Sequence, residues 1–206
     1  MTWHLPLVRE ELARILRARE DELRLEQAVH GLDRCDEVEL QALLGRGLVA
    51  THHVTREAYY PSSTGKRSHR PRCDLVLTAP GQALQAETPP SLFERTCPPE
   101  DALWLEVKVA HQLRPGGQRN ARYGQQWRAS IASDLRKLKL EPRIHHGALA
   151  LVAFTSDEST FERDLASFER LLMDAELLAG YVSKESFAIE ERMGHACCGV
   201  AVWPLV

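Results

Sequence analysis

Apolar residues recur at helical spacing through residues 9–30, where Leu12, Ile15, Leu16, Leu23 and Val29 make one stripe and charged residues fill most other positions. This predicts an amphipathic helix with Gly31 as its stop. Asp36 has N-cap chemistry for a second, shorter helix. Glu37 and Glu39 stand in its first turn, Leu40, Leu43 and Leu44 form its stripe, and Gly45 or Gly47 is expected to end it.

The pattern then changes period. Residues 48–60 are rich in Val, Thr, His and Tyr and read as extended, with turn chemistry at 61–65 (PSSTG). Residues 73–78 (CDLVLT) and 103–110 (LWLEVKVA) are two further strands, separated by an insertion at 79–101 that carries Pro80, Pro89, Pro90, Pro98 and Pro99. A helix is predicted over 125–140. Residues 147–155 (GALALVAFT) are apolar on both faces, as in a buried central or parallel strand. A helix over 156–179 and a pair of strands at 187–191 and 198–203 complete the chain. The order describes an α/β fold, a mixed β-sheet flanked by helices. We read residues 1–206 as a single domain, with a helical extension at 1–35, a core at 36–155 interrupted by the proline-rich insertion, and a C-terminal helix and strands at 156–206.

Composition narrows the class. Hydrophobic content of 44% and charged content of 27% are globular averages. No apolar run approaches the length of a membrane span, and the first residues have neither a basic region nor a long apolar one, so a cytoplasmic protein without a membrane partner is expected. Five scattered cysteines without a CxxC pair argue for reduced, mostly buried thiols. Adjacent histidines at 52–53 and 145–146 would point to opposite faces of a strand and make poor zinc ligands, and His195 beside Cys197 and Cys198 reads as part of a buried strand.

Net charge is −3, but its distribution is uneven. Residues 114–143 hold eight basic side chains against Asp134 and Glu141 alone, and Lys66, Arg67, Arg70 and Arg72 cluster just before Asp74. Residues 9–39 hold ten carboxylates against six arginines. Such segregation suits one face for a polyanion and another for solvent.

Candidate chemistry sits inside the strands. Glu106 and Lys108 interrupt an otherwise apolar strand and share one of its faces. Buried charges are expensive unless paired or metal-bound. With Asp74 on a neighbouring strand, Asp74 and Glu106 have the chemistry to hold a hard divalent cation, Mg2+ or alternatively Mn2+, with Lys108 facing the same pocket. Such a set suits phosphodiester hydrolysis.

These residues, Asp74 in RCDLVL and Glu106-Val107-Lys108 in LWLEVKVA, resemble the PD-(D/E)XK superfamily of restriction-endonuclease-like nucleases, whose core pairs an Asp strand with an E-x-K strand. The matching order of elements, αβββαβ, covers residues 36–155. The resemblance implies catalytic roles for Asp74, Glu106 and Lys108, with Asp74 and Glu106 as metal ligands. The helix EVELQALLGRGL looks like the corresponding helix of archaeal Holliday-junction resolvases, which implies Glu37 as a further ligand; Glu37 and Glu39 also suit a helix N-terminus through its dipole alone. Glu57 either lines the same pocket or sits at the surface, which we favour. The helix after the E-x-K strand implies phosphate contacts by Gln126, Arg136 and Lys137, and the loop RPGGQRNAR adds Arg114, Arg119 and Arg122, with Lys66 and Arg67 from the earlier cluster.

The expected function is a metal-dependent DNA endonuclease, with a symmetric homodimer as one way to cut two strands. The alternative is a catalytically inactive nuclease-fold protein acting as a nucleic-acid-binding or complex-assembly partner.

Overall fold

The computed structural model describes residues 3–63, 70–85, 95–125, 131–177 and 180–205. Helix α1 (Leu5–Leu25) buries Val8, Leu12, Ile15, Leu16 and Leu23. It stops earlier than its polar and apolar pattern predicts. Gln27 takes φ 50°, and the N–H groups of Gln27 and Ala28 donate back to the carbonyls of Arg24 and Leu23, a Schellman turn built on a non-glycine residue. Gly31 is therefore not the stop, and Val29, past the end, is 83% exposed.

Helix α2 (Glu37–Leu48) starts as predicted. Asp36 Oδ1 accepts the Glu39 N–H at 2.8 Å and Glu39 Oε2 accepts the Asp36 N–H at 2.9 Å, a capping box. The helix runs through Gly45 and Gly47 instead of ending there. A Cβ at Gly47 would stand 2.5 Å from Ile15 Cγ1, so this glycine lets α1 and α2 approach closely and does not terminate anything.

The strands are β1 (His53–Tyr59), β2 (Arg72–Thr78), β3 (Ala83–Leu84), β4 (Thr96–Cys97), β5 (Leu103–His111), β6 (Leu113–Arg114) and β7 (Gln118–Arg119), then β8 (His146–Thr155), β9 (Ser183–Ala188) and β10 (Cys197–Leu205). Between β7 and β8 lie the single turn α3 (Tyr123–Gln125) and helix α4 (Ile131–Leu140); α5 (Glu158–Asp174) follows β8. Of the predicted 125–140 helix, the described residues are Gln125, the last of that turn, and the segment from Ile131. Helix α5 ends before residue 179 in the same manner as α1: Glu176 has φ 55°, and the N–H of Leu177 reaches the Leu172 carbonyl. The proline-rich insertion contributes the small parallel pair β3 and β4, which its composition did not announce.

Six strands form one mixed sheet in the order β1-β2-β5-β8-β10-β9. Only β5 and β8 run parallel; the other neighbours are antiparallel. Strand β8 is central and buried along most of its length, as its two-faced apolarity predicts. One core layer, with Leu12, Leu16, Leu40, Leu44, Leu75, Leu105 and Val107, packs the sheet against α1 and α2. The other, with Trp104, Leu135, Leu151, Phe161, Phe168 and Trp203, packs it against α4 and α5. The protein is a mixed α/β structure with helices on both faces of the sheet. Among the described residues no helix is long and apolar enough to cross a membrane. All five cysteines are free, and all but Cys35 are buried.

Candidate active site

Strands β2 and β5 pair through Leu75 and Leu105, Val76 and Trp104, and Leu77 and Leu103. The next step of that register sets Asp74 opposite Glu106, and there the ladder ends. A kink accompanies the ending. On the neighbouring β1, Glu57 adopts φ 52°, a left-handed conformation rare for a non-glycine residue in a strand. On β2, Cys73 joins the core layer of Val76 and not that of Leu75, so side-chain alternation breaks at Asp74.

The parting of β2 from β5 leaves the Val107 N–H without a ladder partner on that side, and a carboxylate takes it. Asp74 Oδ2 accepts the Val107 N–H at 2.7 Å, and Glu37, from the first turn of α2, lies near the backbone of Val109. Buried backbone donors are almost always satisfied, and at Val107 the candidate acid Asp74 does it.

Glu106 is 3% exposed. Its Oε1 accepts the Tyr60 hydroxyl at 2.8 Å, and the Tyr60 ring meets Trp104 edge to face at 6.2 Å. Burial, then the adjacent Asp74 charge, pushes the Glu106 carboxyl up to about 8. Burial raises Asp74 as well, although the Val107 N–H and Lys108 oppose it. Two carboxyl groups in one desolvated site repel each other when both are ionised, and this opposes loss of the last proton of the pair.

Lys108 shares the sheet face of Trp104 and Ala110. Its Nζ stands 3.3 Å from Glu37 Oε1 and 3.2 Å from Asp134 Oδ2, with 13% of the side chain exposed. Burial works against its charge, but Glu37, Asp74, Asp134 and Glu106 together hold the ammonium above its ordinary range. Asp134 Oδ1 also meets Lys137 Nζ at 2.9 Å. Burial would raise Asp134, and the two ammonium groups outweigh it, leaving this carboxylate below its usual range.

The structure therefore brings Asp74, Glu106, Lys108 and Glu37 together and adds two residues that the sequence reading did not select. Asp134 was counted there only against the basic run. Its position on α4, sharing a helical face with the buried Ile131 and Leu138, was the available signal. Tyr60 carried none. Among the described residues no group of three or more His, Cys, Asp or Glu side chains is arranged to hold a metal ion; Glu37 faces Lys108 and leaves Asp74 and Glu106 as the carboxyl pair.

Glu57 lies at the surface as expected, 3.7 Å from Arg72. His195 is buried before β10, its Nδ1 2.8 Å from Asp33 Oδ2 and its Nε2 accepting the Leu113 N–H at 3.0 Å. Arg114, Arg119, Arg122, Arg136 and Lys137 are all exposed. Of these, Lys137 joins the site through Asp134, whereas Arg119 lines a cavity of about 500 Å³ bounded by residues other than Asp74, Glu106 and Lys108. Lys66, Arg67 and Gln126 lie outside the described residues.

No protein-family model, no curated protein and no solved structure matches this chain.

Proposed function

We propose that the chain is a metal-dependent DNA endonuclease of the restriction-endonuclease-like, PD-(D/E)XK kind, with Asp74, Glu106 and Lys108 as its catalytic residues. The observation that carries this reading is the carboxyl pair at the fork between β2 and β5, with the Lys108 ammonium beside it. The order α2, β1, β2, β5, α4, β8, with an antiparallel triplet leading into a parallel strand, agrees with the core that such enzymes share.

Charge balance supports a cation. Four carboxyl groups, of Glu37, Asp74, Glu106 and Asp134, act on Lys108, and burial raises both Asp74 and Glu106. An oxygen-only pair with surplus negative charge suits Mg2+ or Mn2+, which commonly bind through one or two carboxylates together with water and substrate phosphate. When bound, such an ion lowers the pKa of a coordinated water and offsets charge on the phosphate. Lys108, held as an ammonium by Glu37 and Asp134, supplies fixed positive charge toward the phosphate and does not serve as the base. Tyr60 Oη fixes the rotamer of Glu106, and the Val107 N–H fixes that of Asp74.

A second reading, a nuclease fold that binds nucleic acid without turnover, is favoured by the near-complete burial of Glu106 under Tyr60 and by the two ion pairs already made by Lys108. One experiment separates the two. Purified protein is assayed for Mg2+-stimulated cleavage of supercoiled duplex, single-stranded circular and four-way-junction DNA, beside Asp74→Asn and Lys108→Met. The nuclease reading expects cleavage of at least one substrate and a loss of about 100-fold or more in both variants. Binding without cleavage supports the second reading, and neither binding nor cleavage removes both.

A further inference from the structure

A second concave site lies further along β5 on the sheet face of Lys108. The cavity of about 500 Å³ opens between the segment after β7 and helix α5, and a volume of this order holds a nucleotide-sized ligand. Gln112, on its floor, continues the alternation of Lys108 and Ala110 and stands roughly 13 Å beyond Lys108 at the ordinary rise of a strand. It is fixed there: its N–H donates to the Phe154 carbonyl at 3.0 Å and its Oε1 accepts the Ser156 N–H at 2.7 Å.

The arginine-rich loop forms one wall, and its position is equally fixed. Gly116 and Gly117, at φ 87° and 75°, make a turn that returns Arg119 opposite Leu113. The Asn120 N–H donates to the Gln112 carbonyl at 2.9 Å, and its Nδ2 donates to the His111 carbonyl at 2.9 Å. Its Oδ1 accepts the Arg122 N–H at 3.1 Å, and its carbonyl accepts the Tyr123 N–H at 3.0 Å. Such a loop presents Arg119 and the Tyr123 ring on a preorganised frame. From the opposite wall α5 adds Arg163, Asp164 and Phe168. Arg163 and Asp164 pair at 3.2 Å, and the Asp164 charge acts on the Tyr123 hydroxyl, so Arg119 gives the lining its net positive charge.

A planar guanidinium suits a phosphate, and an aromatic ring lining the same cavity suits the flat face of a base. We infer that this cavity binds a nucleoside phosphate, its phosphate on Arg119 and Arg163 and its base against Tyr123, either as a free nucleotide or as one unit of a nucleic-acid strand. The inference goes beyond the nuclease reading and needs neither metal nor turnover.

The test measures binding in EDTA, so its result is separate from cleavage. Adenosine 5′-monophosphate, inorganic phosphate and a short fluorescent oligodeoxyadenylate are titrated into the wild type, Arg119→Gln, the Arg119→Gln/Arg163→Gln double variant, Tyr123→Leu, and Arg14→Gln as a surface control on α1. The expected result is saturable binding that weakens about tenfold or more in the double variant and in Tyr123→Leu, and is unchanged in Arg14→Gln. Arg119→Gln alters one exposed side chain of a hairpin, keeps the fold, and is expected to show part of the loss. Losses confined to the oligomer identify a strand unit, and losses shared by the mononucleotide identify a free nucleotide. Absence of saturable binding by both nucleotide probes, inorganic phosphate binding as tightly as the nucleotide, or full affinity in the arginine and tyrosine variants overturns the inference.

Discussion

The Lys108 ammonium lies 3.2 Å from Asp134 Oδ2, and this contact ties the E-x-K strand to the basic helix that follows it. Because Lys108 also meets Glu37, removal of Asp134 leaves the ammonium with one direct carboxylate partner. Asp134→Asn is therefore expected to destabilise the fold modestly, and a double-mutant cycle with Lys108→Met should return a coupling energy on the order of 1 kcal/mol in urea denaturation. Additive single effects would mean that the pair makes no energetic contribution.

Glu106 sets a pH dependence. Its folded value, about 8, lies above the ordinary 4.5, so the folded state binds the proton more tightly than the unfolded chain. The stability contributed by that protonated carboxyl is fully present below about pH 4.5 and is lost as pH rises toward 8. Urea midpoints measured from pH 5 to pH 8.5 should fall across this window, and Glu106→Gln, which keeps a neutral hydrogen-bonding group, should flatten the fall. A steeper decline in the variant would assign the pH dependence elsewhere.

Helix α2 offers two tests of local architecture. Asp36→Ala removes the side-chain acceptor of the capping box and should cost about 1 kcal/mol, readable as a lower urea midpoint with an unchanged slope.

Gly47→Ala carries the opposite sign from the usual case. Alanine in an exposed helix interior normally stabilises by about 0.5–1 kcal/mol over glycine, but here its Cβ would meet Ile15 at 2.5 Å. The substitution should lower stability, and Ile15→Ala in the same chain should recover part of the loss. Stabilisation by Gly47→Ala alone would contradict the close approach of α1 and α2.

The N-cap of α2, the strands β2, β5, β8 and β10 and the central position of β8 were legible because each has a local cause: an Asp before the first turn, alternation, or a two-faced apolar run. Strand β9, by contrast, begins at Ser183, four residues before the predicted 187–191. The helix ends were not legible. Gln27 and Glu176 supply left-handed turns without the glycine that signals them, while Gly45 and Gly47 signalled an end but serve helix packing. Asp74, Glu106 and Lys108 could be selected because charge inside apolar strands needs a reason. Asp134, 26 residues from its partner Lys108, was marked only by its place on the buried face of α4, and Tyr60, 46 residues from Glu106, has no local mark. The proline-rich insertion hid a strand pair because two residues are too few to display a period.

The central claim is that the carboxyl pair of Asp74 and Glu106 is a cation site. Calorimetric titration of Mn2+ at pH 7 in two buffers of different ionisation enthalpy tests it directly, because an ion binding there displaces the proton that the raised Glu106 carboxyl holds at this pH. The account expects saturable binding accompanied by release of about one proton, abolished in both Asp74→Asn and Glu106→Gln. Binding without proton release, binding that survives both substitutions, or no binding in the millimolar range would contradict it.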